Sequence, residues 1–404
     1  MVVVVVLARP PDFGSSVFLG IADKVAAGLV PYRDFPVEYP PLALIPLVLP
    51  RFLAGGGDAA YEILFGLLSL VFTVAVASGL AWLADRGWSA TSRNQTLLAF
   101  VCLVLAAAPQ VFWRFDIFPA LLTVIALVAV ARGRPGWAGF ALALGAAAKL
   151  YPAFLVPVLV AYYLFGRNRR GAAMTIFGFG AVGVAVGVLL ILVAGRDAFT
   201  FLSYQEDRGI EIESVLGGII LLAHNLFGTD AAVTFGFGSF QVESSLERTL
   251  ALPNAIGVLA LGTILAVGLY VSFSSDARRF GAVSRRTLVT YLLAALLLVM
   301  LANKVLSPQY LAWLLPFGAL LPWRQSLLLV VVAALTTVVY PLVFDALREA
   351  HPTAVAVLNV RNALLLALFI WLVIPRRRAT NAVSDDQSVA MLESLRANRR
   401  RRRT

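Results

Sequence analysis

Six stretches of this sequence, at about 60–84, 171–195, 253–273, 287–302, 327–344 and 355–374, are near-continuous apolar runs. They approach or exceed the ~20 residues of helix that cross a bilayer. Strands spanning a membrane would alternate apolar and polar residues, and these runs do not, so helices are the expected form. Shorter apolar runs lie near 95–109, 117–131, 137–149, 152–166 and 309–323. The chain is 60% hydrophobic and 14% charged, more apolar surface than a soluble core of 404 residues would need. The expected fold class is all-α: a polytopic transmembrane helical bundle of about 11–12 membrane helices, some of them short or broken.

A formal charge of +11 would point to nucleic acid in a soluble protein. Here its location gives it another meaning, and no nucleic-acid partner is expected. The loops carrying Arg132/Arg134, Arg167/Arg169/Arg170, Arg278/Arg279/Arg285/Arg286 and Arg376–Arg378 fall on one side of alternating spans. The positive-inside rule makes that side cytoplasmic. Of the 22 acidic residues, Asp385, Asp386 and Glu393 lie in the C-terminal tail, and Asp85 and Asp276 in cytoplasmic loops. The remaining 17 fall on or near the outer side. Orientation depends on Lys and Arg, so this acid excess calls for another cause, and an outward-facing polar site is one.

The membrane body is read as 1–375, with long outer segments at about 8–58 and 196–252 and a basic tail, 376–404, expected to be disordered on the cytoplasmic side. Pro40–Phe52 is apolar, short and proline-rich, and reads as a re-entrant or surface-lying helix. Val2–Leu7 is too short to span, yet the charge pattern needs the first loop to start outside. We therefore expect a fuller first membrane helix upstream of Asp12. Cys102, the single cysteine, excludes an intramolecular disulfide and reads as inert packing. His224 and His351 are too few and too far apart in sequence for a zinc set, and no glycine-rich phosphate loop stands at a strand-to-helix turn. No metal and no cofactor are expected.

Polar residues inside apolar sequence carry the functional signal, because a charge at mid-bilayer is costly and usually faces a cavity or a partner. Tyr32-Arg-Asp-Phe-Pro-Val-Glu-Tyr-Pro-Pro41 sets Asp34 and Glu38 among tyrosines and prolines. Lys149 stands in Ala-Ala-Ala-Lys-Leu-Tyr-Pro, where Pro152 breaks the helix. Asp116 follows Phe-Trp-Arg-Phe, and Lys304 and Gln309 lie in Asn-Lys-Val-Leu-Ser-Pro-Gln-Tyr. Arg208 sits among Glu206, Asp207, Glu211 and Glu213 in the second outer segment. Each has a plainer explanation: Lys149 or Lys304 as an interfacial anchor, Asp116 as the partner of Arg114, Asp34 and Glu38 as turn braces, the loop acids as a solvated face. These leave the shared side and level of the whole set unexplained. Outer cations suit a lipid-linked phosphate. A carboxylate can take the proton of an attacking hydroxyl, and the departing phosphate needs its charge stabilised. Together these describe glycosyl transfer from a polyprenyl-phosphate sugar to a hydroxyl acceptor.

Four motifs, Tyr32–Pro41, Lys149-Leu-Tyr-Pro152, Asp207-Arg-Gly-Ile-Glu-Ile-Glu-Ser214 and Asn303-Lys-Val-Leu-Ser-Pro-Gln-Tyr310, resemble those of glycosyltransferase family 87, a bacterial integral-membrane family of the GT-C class. The likeness runs to about residue 375. It implies a GT-C bundle in the bacterial plasma membrane, inverting chemistry under the first long loop, and mannose as the sugar weighted by family. By resemblance Asp12 is the leading base; by local chemistry Asp34 and Glu38 are, and all three stand. Under the same resemblance Lys149, Arg208 and Lys304 are candidates for the donor phosphate. Tyr39, Tyr151, Asp116, Glu211, Gln309 and Tyr310 are candidates for sugar or lipid contact. Expected partners are the bilayer, the lipid-linked donor, and a glycolipid or polysaccharide acceptor. A transporter or flippase, or an assembly subunit of an envelope-polysaccharide complex, stands as the alternative.

Overall fold

The computed structural model describes residues 17–202 and 208–374. In chain order the helices are α1 (Val17–Ala26), α2 (Leu44–Ala54), α3 (Asp58–Ala84), α4 (Arg93–Ala106), α5 (Ala108–Phe112), α6 (Ile117–Ala131), α7 (Pro135–Ala148), α8 (Val156–Phe165) and α9 (Arg169–Ala194). Then come α10 (Val215–Phe227), a hairpin of β1 (Ala232–Gly236) and β2 (Ser239–Glu243), α11 (Leu246–Phe280), α12 (Arg285–Ala302), α13 (Leu311–Ala319), α14 (Trp323–Thr337), α15 (Phe344–Arg348) and α16 (Pro352–Val373). Six of these, α3, α9, α11, α12, α14 with its following turn, and α16, are long and apolar enough to cross a membrane. The protein is an all-α polytopic bundle, and each expected span overlaps one of these helices, although α11 runs well beyond the expected 253–273 at both ends.

Local sequence sets the helix starts. Ser92, Asn168, Ser214 and Ser284 each accept the backbone N–H three residues on, satisfying a donor that the first turn leaves open. Ser92 and Gln95 close a reciprocal capping box. α7 and α9 pack backbone to backbone through small residues. A Cβ on Gly139 would strike Thr175 O, and one on Gly178 would strike Gly136 O. Without a hydrophobic drive between helices in lipid, such close approach is what makes helices adhere. α12 and α13 form the centre of the core, with Leu293, Leu296, Leu297, Leu311 and Leu314 fully buried. α9 and α11 leave most of their apolar surface outward, as lipid-facing helices do: Leu192 is 78% exposed and Leu259 70%. Cys102 is also exposed, on α4, so it is not the packed thiol expected from its apolar run.

Several helices stop part-way and release polar groups. α7 ends at Lys149, whose extended backbone (φ −156°, ψ 136°) leads into a tight turn, Tyr151–Leu155, before α8. α12 ends at Asn303, also extended, and Pro308–Tyr310 turns the chain into α13. Pro341 interrupts the helix begun by α14, so Tyr340 O accepts from the buried Gln110 Nε2 at 2.8 Å. The second long segment holds structure that hydropathy alone did not indicate: α10 and the hairpin, packed over a small separate core of Ile210, Ile212, Ile220, Val242 and Leu358. Pro41–Ala54 is helical, in keeping with the short helix expected there.

Candidate active site

The helix breaks meet at one end of the bundle, around a cavity of about 550 Å³. Its wall takes Glu38 and Tyr39 from the first long loop, Arg114 from the α5–α6 turn, Lys149 and Tyr151 from the α7–α8 break, and Arg208, Glu211 and Glu213 from the second long segment. Ser239 and Phe240 of β2, Ser307, Gln309, Tyr310 and Trp313, and Tyr340 complete the part that matters for chemistry.

Lys149 sits in a ring-lined box. Its Nζ lies 4.8 Å from the centre of Phe115, 5.3 Å from Tyr310, 5.5 Å from Tyr39 and 6.0 Å from Trp313. Asp116 Oδ1 is 2.9 Å from that ammonium, and Asp116 also accepts Trp313 Nε1–H at 2.7 Å. Trp313 is itself stacked between Tyr151 (4.2 Å, 11°) and Tyr310 (4.0 Å, 21°). Ring faces attract the cation and the carboxylate neutralises it, so the buried charge is fully accounted for. Asp116 therefore partners Lys149 and Trp313, and not Arg114 as the plainer sequence explanation had it.

Arg114 is held differently. It donates to Tyr340 Oη at 2.9 Å and to Trp113 O at 3.0 Å. Among the described residues no carboxylate forms an ion pair with it. Arg208 lies 3.8 Å from Glu211, and Glu211 Oε1 accepts Ser307 Oγ–H at 2.6 Å. Burial raises the Glu211 carboxyl above its ordinary range, partly offset by Arg208 and Ser307. Glu213 is pushed up to about 8 by burial, against the pull of Arg361. Arg361, fully buried on α16, donates from Nη2 to Glu213 O (3.1 Å) and Oε2 (3.4 Å). Among the described residues, four buried polar atoms of the cavity wall have no hydrogen-bond partner: Tyr151 Oη, Arg208 Nε, Glu211 Oε2 and Ser239 Oγ. Unsatisfied buried groups are uncommon, and a ligand or ordered water in the cavity would satisfy these.

The structure thus brings together Glu38, Tyr39, Asp116, Lys149, Tyr151, Arg208, Glu211, Gln309 and Tyr310 from segments far apart in sequence. Asp116 is not itself part of the lining and reaches the cavity through Lys149 and Trp313; two further candidates, Asp34 and Lys304, also stand outside the lining. Asp34 is exposed, bonded by Arg33 Nε (2.9 Å) and Val30 N–H (2.7 Å), and Arg33 pulls its carboxyl down to about 2. Lys304 is exposed beyond the end of α12, and it is its backbone O that meets Glu211 N–H (2.9 Å). Asp12, Glu206 and Asp207 lie outside the described residues. Sequence reading passed over Arg114 as a site residue, and Arg361, Trp313, Tyr340 and Ser239 altogether. For Arg361 a signal was present: a lone arginine within an apolar helix. Nothing local marks Ser239 or Tyr340, which matter through long-range packing.

No curated protein matches the chain. A family match covers residues 37–303, about two thirds of the sequence, and takes in the Glu38, Arg114, Lys149 and Arg208–Glu213 walls of the cavity. The chain belongs to glycosyltransferase family 87 and is a membrane glycosyltransferase.

Proposed function

We propose that the cavity transfers a hexosyl residue, mannosyl by family weighting, from a polyprenyl-phosphate donor to a hydroxyl of a glycolipid or polysaccharide, with inversion and without a metal. The observation that carries this reading is Arg114, a cavity-lining guanidinium that forms no ion pair with a carboxylate among the described residues, with the half-buried Glu38 in the same cavity wall. A guanidinium of this kind suits a phosphate, which it grips through two N–H groups at once. Lys149 is the second cation; its ammonium has three N–H donors, and Asp116 takes up at most two.

In this scheme Glu38 takes the proton from the acceptor hydroxyl as its oxygen bonds to the anomeric carbon. The bond from that carbon to the phosphate oxygen breaks, and its electron pair leaves with the polyprenyl phosphate under Arg114 and Lys149. In the same scheme Arg208 Nε, Glu211 Oε2 and Ser239 Oγ read sugar hydroxyls, a reading supported by their lack of hydrogen-bond partners. Tyr39, Tyr151, Gln309 and Tyr310 supply wall against the ring or the first isoprene unit. Asp12 stays a second base candidate through the family resemblance. On the orientation given by the basic loops, the cavity opens on the extracytoplasmic side of a bacterial plasma membrane.

The test is transfer by purified protein in nanodiscs. A panel of radiolabelled polyprenyl-phosphate sugars is offered with a membrane glycolipid extract. Labelled product dependent on one donor, abolished in Arg114→Ala, supports the reading. Equal transfer from a nucleotide sugar, or full activity in Arg114→Ala, overturns it.

A further inference from the structure

One wall of the cavity is a ladder of rings that the transfer step itself does not use. It starts at Tyr340, whose phenol oxygen accepts from Arg114, the cation assigned to the donor phosphate, at 2.9 Å. Phe344 follows at 5.1 Å between ring centres, Phe240 at a further 5.5 Å and Phe235 at a further 5.0 Å. All four line the cavity. Tyr340, Phe344 and Phe240 are half-buried, so ring surface stays open to the space, and Phe235 is 67% exposed at the far end. Tyr340 and Phe344 come from the turn between α14 and α15, and the other two from the hairpin. Packing accounts for Phe240 and Phe344, which flank the small core under the hairpin. It does not account for Phe235, which stands apart from that core with most of its ring uncovered.

An isoprene chain or the rings of a glycan could cover such a wall, and the polar atoms decide between them. Ser239 Oγ, set between Phe235 and Phe240 along the hairpin, has no hydrogen-bond partner, nor do Glu211 Oε2 and Arg208 Nε in the same cavity. All three residues are at least nine-tenths buried. An isoprene chain would leave these atoms unsatisfied, which is costly. A sugar unit offers a C–H face to a phenyl ring and hydroxyls at its edge, the mixture of apolar wall and few polar groups found here. The hairpin is also too polar for the acyl region: Thr234 bonds Glu243, and Ser244 and Ser245 bond Asp230. Apolar wall for a lipid lies elsewhere, at the exposed Leu150 and Phe154 that follow Lys149.

We propose that Tyr340, Phe344, Phe240 and Phe235 bind the sugar units that precede the accepting hydroxyl, so that the acceptor is a glycan already carrying two or more sugars. This assignment rests on the sugar-transfer reading and narrows its acceptor. A bare lipid hydroxyl, or a single sugar, is too short to reach from Arg114 to Phe235.

Binding is measured first, because it needs no turnover. Mono-, di- and trisaccharides of mannose, glucose and galactose are offered to the protein in nanodiscs and followed by saturation-transfer NMR. At least one trisaccharide should bind more tightly than its monosaccharide. Phe235→Ala should weaken that trisaccharide by roughly 10-fold, through loss of one ring's contact surface, and leave the monosaccharide unchanged. Ser239→Ala should weaken the trisaccharide as well. Phe227→Ala removes a ring that is 79% exposed outside the lining and should bind as wild type does. In the transfer assay Phe235→Ala should raise the acceptor KM and leave the donor KM in place. If no trisaccharide distinguishes wild type from Phe235→Ala, the ladder is not a glycan site. Displacement of the bound trisaccharide by farnesol would give the wall to the lipid and overturn the assignment. Trisaccharide binding that depends on Phe235, in a wild-type protein that transfers nothing, would uphold the ladder and sink the transfer reading instead.

Discussion

Lys149 and Asp116, 33 positions apart, close a 2.9 Å ion pair that joins the end of α7 to the residue that starts α6. The Asp116 side chain is 1% exposed and that of Lys149 12%. Removing one partner leaves the other charged and buried, which costs about 3–5 kcal/mol. Lys149→Met should therefore lower the unfolding temperature in detergent sharply. Lys149→Met/Asp116→Asn should recover most of the loss while transfer stays abolished. A double variant no more stable than the single one would show that the pair does not act as a unit.

Glu38→Gln should reduce transfer by about 10²–10⁴-fold, the usual contribution of a general base, with the melting curve unchanged. Asp34→Asn should stay within a few-fold of wild type, because Asp34 braces an exposed turn with Arg33 and Val30. A reversed pattern in initial-rate measurements would move the base to Asp34.

Arg114→Lys keeps the charge and loses the paired grip on phosphate. A charge-assisted hydrogen bond contributes about 1.5–3 kcal/mol, so the donor KM should rise roughly 10- to 100-fold. The acceptor KM should hardly move. Equal effects on both would place Arg114 outside the phosphate subsite.

The Glu213 carboxyl, ordinarily near 4.5, is raised to about 8 by burial. A raised carboxyl means that folding takes up a proton. Its contribution to stability is complete below the unfolded value and is lost as pH rises through about 8. Between pH 5 and pH 8.5 the wild-type unfolding temperature should decline, and Glu213→Gln should flatten that limb. An unchanged slope in the variant would assign the decline to another group.

Much of this molecule was legible because lipid imposes a simple rule on helices. The run 117–131 coincides with α6, and α3, α9 and α12 begin within two residues of their apolar stretches. Pro152 announced the broken helix that carries Lys149. What stayed hidden depends on partners distant in sequence. Nothing near Asp34 shows that its neighbour Arg33 holds it at the surface while Glu38, four residues on, reaches the cavity wall. The bond from Tyr32 Oη to Tyr39 O at 2.7 Å decides that, and it belongs to the loop's folded shape. The hairpin was hidden for a similar reason: its alternation is short, and its inner face rests on residues more than a hundred positions away, such as Phe344.

Gly139→Leu offers a test of the scaffold apart from the site. The close contact of α7 with α9 leaves no room for a side chain there. Even Gly139→Ala should cost about 1–3 kcal/mol through overpacking, and Gly139→Leu should prevent a monodisperse product on size-exclusion chromatography.

The ring stack around Trp313 gives the cavity a built-in optical probe. The indole N–H is bonded to Asp116, its two faces are covered by phenol rings, and Asp116 is the counter-charge of the cation proposed to meet phosphate. A ligand that draws Lys149 away from Asp116 changes the electric field at that indole, and with it the colour and yield of its emission. Comparison with Trp313→Phe separates its signal from the other tryptophans, so binding of unlabelled lipid-linked sugars can be followed by ultraviolet fluorescence alone.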